Sequence, residues 1–192
     1  PDAKIALHYG NPIQLLVAVI LSAQCTDKKV NEVTAELFKK YKTAKDFAQA
    51  PPATFEKEIK STGFYRAKAK SIITSAKMLV EKYGGTLPKT MQEMVTLRGV
   101  ARKTANIVLG NAYGVVEGIA VDTHVRQFAN YCRLSAHSDP VKIERDLMRL
   151  FPKKEWFRLT YRIIEYNREM KNKARRENAK IHLRDLCPDA PA

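Results

Sequence analysis

The 192 residues carry 34 Lys and Arg against 20 Asp and Glu, giving a formal net charge of +14 and a sequence pI near 9.7. The length suits one large domain or two small lobes, and the charge favours a polyanionic partner, nucleic acid ahead of an anionic membrane, over a merely solvated basic surface. Three cysteines without paired spacing (Cys25, Cys132, Cys187) argue against a disulfide framework and for a reducing compartment, and the lack of CxxC or histidine ligand spacing argues against structural zinc.

In chain order, the pattern predicts helix after helix. The apolar run 13–23, "IQLLVAVILSA", is too short to span a bilayer and reads as a buried core helix opened by Asn11-Pro12. Asp27 is the expected cap of a helix over 28–41, whose Val30, Val33, Leu37 and Phe38 share one face. Pro51-Pro52 separates a short helix from one over 53–61. A turn at 62–64 leads into a long helix from Tyr65 to Tyr83, ended by Gly84-Gly85. Pro88 opens a helix over 89–97, a tight turn follows, and the next helix runs to about Tyr113. After an irregular link at 117–120, Asp122 caps a helix over 123–134, and Ser138-Asp139-Pro140 starts another. Pro152 breaks the chain before "EWFRLTYRIIEYNREMK". No strand alternation and no solenoid period are present, so the fold class is all-α. The stretch from Lys171 to Arg184 holds six cations and one acid, which suits a phosphate contact, a solvated face or a frayed end equally.

The stretch 97–106, "LRGVARKTAN", carries the chemistry. A short turn between two helices leaves unpaired N–H groups at the start of the second, where the helix end is positive. Such a turn is either an anion site or an ordinary helical hairpin. In the first reading Gly99 allows close approach of a phosphate, and Arg98 and Arg102 add charge. Lys103 lies in the first helical turn, where a cation is disfavoured by about 0.3–1 kcal/mol at a surface. That placement promotes a neutral, nucleophilic amine, unless Lys103 is one more surface lysine. Asp122, nineteen positions later, has a helix N-cap as its plain structural role.

"LRGVARKTANIVL" (97–109) resembles the helix-hairpin-helix motif of the endonuclease III family of DNA base-excision glycosylases. "IAVDTHVRQFANYCRL" (119–134) is similar to the family segment bearing its catalytic aspartate, "LLVAVILSAQCTD" (15–27) to a segment near the family's N-terminus, and "STGFYRAKAKSI" (61–72) to a loop between them. The likeness is collinear over about residues 5–187. It implies a two-lobed helix-hairpin-helix glycosylase fold with a cleft between lobes. A helical barrel would occupy 5–115, with the hairpin at about 89–113, and a discontinuous second domain 1–4 and 116–192. The resemblance makes Lys103 the nucleophile and Asp122 the catalytic carboxylate. It places Gln24 as the residue that plugs the gap left by an extruded nucleotide and Phe64 as a wedge, although Gln24 also suits a helix-end amide and Phe64 the core. Arg98, Gly99, Val100, Ala101, Arg102 and Thr104 become duplex contacts, and His124 either a DNA contact or a buried hydrogen-bonding histidine.

The implied activity is removal of damaged, oxidised pyrimidines from duplex DNA. A Schiff base between Lys103 and C1′, followed by β-elimination, would nick the strand 3′ to the lesion. The expected partner is double-stranded DNA with damaged bases or abasic sites, and the expected state is a monomer inside a prokaryotic cell, away from membranes. Two alternatives stand beside this: a non-catalytic helix-hairpin-helix module, and a glycosylase of shifted specificity for mismatches or purine lesions. The sequence departs from the family pattern at Arg98, usually proline, and at Ala101, usually glycine. An alanine forced to φ > 0 there would cost about 1 kcal/mol and weaken the phosphate grip. Many family members hold a [4Fe–4S] cluster through four C-terminal cysteines. Here that stretch has only Cys187, so neither cluster, metal nor other cofactor is expected. Packing by Trp156, Phe157, Ile163, Ile164 and Leu186 is the expected substitute, unless the basic tail is simply mobile.

Overall fold

A computed structural model describes residues 3–177. Among them the chain forms ten α-helices and one 3₁₀ turn, and no strand. Two compact units result: Ala6–Val115, and the chain on either side of it.

The first unit is built around α1 (Pro12–Leu21), in which every residue from Gln14 to Leu21 is buried. A helix that is apolar all round has to be enclosed by others. α2 (Asp27–Lys40), α5 (Tyr65–Tyr83) and α7 (Arg102–Tyr113) pack against it. Its one buried amide is satisfied: Gln14 Oε1 accepts from Gly10 N at 2.9 Å and Gln14 Nε2 donates to Tyr41 O at 3.4 Å. α3 (Ala44–Ala48) and α4 (Pro52–Glu58) cover α5. The 3₁₀ turn Lys60–Thr62 then leads to Gly63 and α5.

Local chemistry moves several boundaries from their expected places. Thr26, not Asp27, caps α2, its hydroxyl accepting from Lys29 N, and Asp27 becomes the first helical residue. Asp27 there still complements the helix dipole. The helix expected over 89–97 shrinks to α6 (Met91–Met94), capped by Thr90, because the following N–H groups close successive turns on the carbonyls behind them.

In the second unit, α8 (Thr123–Tyr131), α9 (Pro140–Leu150) and α10 (Lys153–Glu177) enclose Ile119, Val121, Val125, Ala129, Ile143, Leu147, Leu159 and Ile163. α8 ends earlier than 134 because Arg133 turns left-handed at φ 51, directing Leu134 N back to Ala129 O at 2.8 Å. Trp156 packs against this core and donates its indole N–H to Phe151 O at 2.8 Å; Phe157 meets Tyr161 edge to face. Leu186, Cys187 and the basic stretch beyond Glu177 lie outside the described residues. Cys25 is a free thiol, whereas Cys132, buried at the end of α8, is disulfide-bonded. The expectation that the cysteines stay unpaired is therefore corrected at Cys132, since pairing follows folded distance and not sequence spacing.

Candidate functional site

Three groups of residues gather the chemistry. The first is the hairpin α6–turn–α7. Leu97 N donates to Met94 O at 3.2 Å and Val100 N to Leu97 O at 3.1 Å, while the Leu97 and Val100 side chains are buried. Val100 therefore anchors the turn from within. The turn is pinned to α5 from the other side: Ser75 Oγ donates to Arg98 O at 2.8 Å. Gly99 sits at φ +78, and a Cβ there would lie 2.8 Å from Ser71 Cβ and 2.9 Å from Ser71 Oγ. The glycine is needed for packing on α5 as well as for its backbone conformation. Ser71 and Ser75, one helical turn apart, form the seat for the hairpin.

Ala101 is the N-cap of α7, with φ −86 and ψ 170. This is extended backbone open to any residue, so the strain expected for alanine at this position is absent. Alanine has no side-chain acceptor, and no side chain caps α7. The first N–H groups of that helix are thus left without the side-chain acceptor found at α1, α2, α3, α6, α8 and α9. Arg98 and Lys103 are exposed, and Arg102 and Thr104 half-buried, at the same helix end. A basic helix start without a side-chain cap can accept an anion beside an accessible primary amine.

The second group consists of two loops in the same unit. Gln24 follows the end of α1 at φ 53, and Phe64 precedes α5 at φ 48. Both are exposed, Phe64 to 66 %, so Phe64 is not part of the core. Neither is a residue type that adopts the left-handed region readily. A residue that sequence reasoning passed over sits behind both loops. The Lys68 ammonium is buried and donates to Leu21 O at 2.7 Å and Thr62 O at 2.8 Å. Its signal was present in the sequence: Lys68 falls on the apolar stripe of α5 with Ala69, Ile72, Ile73, Ala76 and Leu79.

The third group lies at the start of α8. Asp122 is its N-cap, one carboxylate oxygen accepting from Val125 N at 2.8 Å. The preceding backbone is held by Thr160 Oγ donating to Ala120 O at 2.9 Å. His124 O accepts from Asn167 Nδ2 at 3.3 Å, whereas His124 Nδ1 is buried with no hydrogen-bond partner. Thr160 and Asn167 went unnoticed in the sequence because a polar residue on a long helix carries no local mark of its distant acceptor.

Among the described residues no group of three or more His, Cys, Asp or Glu is placed to hold a metal ion, and no helix is long and apolar enough to cross a membrane. A [4Fe–4S] cluster needs four thiolates, and the sequence holds three cysteines; the donor set does not fit such a cluster.

Residues 17–153 match the family model described as HhH-GPD superfamily base excision DNA repair protein. The chain is 44% identical over 192 residues to endonuclease III of Synechocystis sp., covering 100% of this chain and 88% of that protein. It is 46% identical over 169 residues to endonuclease III of Bacillus subtilis, covering 88% and 77%. A solved structure of a trapped endonuclease III–DNA covalent intermediate is similar at TM-score 0.83 and 44% identity, over 86% of this chain and 78% of that one. A thermostable thymine-DNA glycosylase shares the fold at TM-score 0.74 and 22% identity, over 86% and 78%.

Proposed function

We propose, from the premise that this chain belongs to the endonuclease III family of the HhH-GPD superfamily of base excision DNA repair proteins, that it is a DNA glycosylase and AP lyase acting on damaged pyrimidines in duplex DNA. The observation that carries the reading is the likeness, at 44% identity, to an endonuclease III trapped covalently on DNA, together with an accessible amine at the start of α7. Covalent capture requires a nucleophile, and Lys103 is the exposed lysine in the first turn of α7.

The reaction follows from these groups. The neutral Lys103 amine forms a bond to C1′ as the glycosidic C1′–N bond breaks, and the base departs with a proton. Opening of the C1′–O4′ bond gives an imine. Loss of a C2′ proton then drives cleavage of the C3′–O bond, which releases the 3′ strand. Water hydrolyses the imine and restores the amine. Asp122 supports the first step. Its capping oxygen is held by Val125 N, and its second oxygen remains to stabilise developing positive charge on the sugar. The uncapped α7 start, with Arg98 and Arg102, grips a phosphate and fixes register without reading bases. Gln24 and Phe64 enter the duplex where the damaged nucleotide leaves, and His124 contacts the DNA beside Asp122.

Borohydride trapping on a duplex abasic site tests the chemistry. Wild type should yield a covalent adduct and Lys103→Ala none; a wild type without adduct, or a variant with equal adduct, defeats the assignment. Asp122→Asn keeps an N-cap acceptor, so its melting temperature should stay near that of wild type while single-turnover excision slows on the order of 10²–10⁴-fold. An incision panel over thymine glycol, 5-hydroxycytosine, 8-oxoguanine and a G·T mismatch selects the base. Oxidised pyrimidines should be cut first. Preference for the mismatch or the purine would place the enzyme in the shifted class.

A further inference from the structure

Lys68 is the only buried lysine or arginine among the described side chains, and the chemistry above makes no use of it. Removing an ammonium from water is unfavourable, and burial pushes the Lys68 amine below its ordinary lysine range. Such a group persists only where its partners offset the loss.

The partners are two helix ends. At the C-terminus of α1, Ser22 N donates to Ala18 O, Ser22 Oγ to Val19 O, and Ala23 N to Ile20 O. Leu21 O is the next carbonyl in line, and Lys68 Nζ supplies its donor. At the end of the 3₁₀ turn, Thr62 N and Thr62 Oγ both donate to Ile59 O, and Gly63 N to Lys60 O. Thr62 O is again the carbonyl served by Lys68. Leu21 O lies at the negative end of the ten-residue α1, where a cation is a good donor, and Thr62 O closes the three-residue 3₁₀ turn. Three residues beyond Leu21 comes Gln24, and two beyond Thr62 comes Phe64, each exposed and each left-handed. One ammonium therefore braces the roots of the two loops whose side chains the proposed reaction sends into the duplex.

We infer that Lys68 is a positioning residue that fixes the Gln24 and Phe64 loops to one another, so that plug and wedge enter the gap as a unit. The inference rests on the glycosylase reading above. Lysine suits the task because a tetrahedral ammonium on a four-carbon stem presents three donors that can diverge toward separate carbonyls. A neutral apolar residue of similar length would fill the space and leave both carbonyls without their donor.

A double-mutant cycle tests it. Single-turnover excision is measured on a fully paired lesion duplex for wild type, Lys68→Met, Gln24→Ala/Phe64→Ala and the triple variant, each at a temperature where melting curves show it folded. Lys68→Met should slow excision on the order of 10- to 100-fold in the wild-type background, as a misplacement near 1 Å does. In the Gln24→Ala/Phe64→Ala background it should add less than about twofold, because the side chains it positions are gone. The same factor in both backgrounds would mean a general structural role and overturn the inference, as would an unchanged rate in Lys68→Met. Should Lys68→Met fail to fold, Lys68→Gln, which retains a donor, enters the same cycle under the same criterion. Absence of a trapped adduct in wild type would instead defeat the glycosylase reading itself, a separable result.

Discussion

Gly99 shows how one residue can serve backbone and packing together. At φ +78 any side chain is strained, and a methyl group would press on Ser71 at 2.8 Å. Gly99→Ala should lower unfolding free energy by about 1–3 kcal/mol, read from the denaturant midpoint. Ser71→Gly beside it should recover only the steric part, and full recovery would show that φ is unimportant. The sequence marked this glycine as a close-approach position but attributed the closeness to phosphate, because nothing local names α5 as the neighbour. It misjudged Ala101 for a related reason. Substitution of a family glycine suggested strain, yet the left-handed residue of the turn is Gly99, and Ala101 is extended at φ −86. Residue type alone does not reveal which of two nearby glycines a turn requires.

At the scale of elements, helices bounded by strong punctuation were legible and those bounded by tertiary context were not. α5 begins after the Gly63 turn and ends at Gly84 as expected, and α7 runs to Tyr113. α6 is cut short because its last N–H groups turn toward the hairpin, an outcome fixed by burial of Leu97 and Val100. The joint between α2 and α4 was equally hidden. Tyr41 stacks on Phe47 at 5.3 Å, meets Phe55 edge-on at 5.4 Å, and donates its hydroxyl to Glu58 at 3.0 Å. Burial, then the bond to Glu58, raises the phenol to about 12. In the unfolded chain it ionises near its ordinary value of 10.0, so between there and about 12 the native state binds the extra proton and stability falls as pH rises. The stability difference between wild type and Tyr41→Phe should therefore be full below pH 10 and shrink toward pH 12. A difference that does not change across that window would show that the Tyr41 proton is not retained by the fold.

For the molecule as a whole, charge is the property the sequence stated most directly. Ala6–Val115 alone holds 17 Lys and Arg against 8 Asp and Glu, so the excess is concentrated in the unit that carries the hairpin and both loops. Most of that charge is spread over exposed helix faces and attracts any polyanion, while Arg98, Arg102 and Lys103 are gathered at one uncapped helix start. These two kinds of cation should separate in a salt titration. Cations that neutralise phosphates release counterions, so the logarithm of duplex affinity should fall linearly with the logarithm of salt, by about 0.9 per phosphate contact. Arg98→Ala should weaken binding to lesion and undamaged duplex alike and make that slope shallower by about one unit. Lys45→Ala, on the exposed face of α3, should leave the slope within error. Equal slopes for wild type and Arg98→Ala would mean that the hairpin does not hold a phosphate, and the positive charge of the chain would then act only as a diffuse field around it.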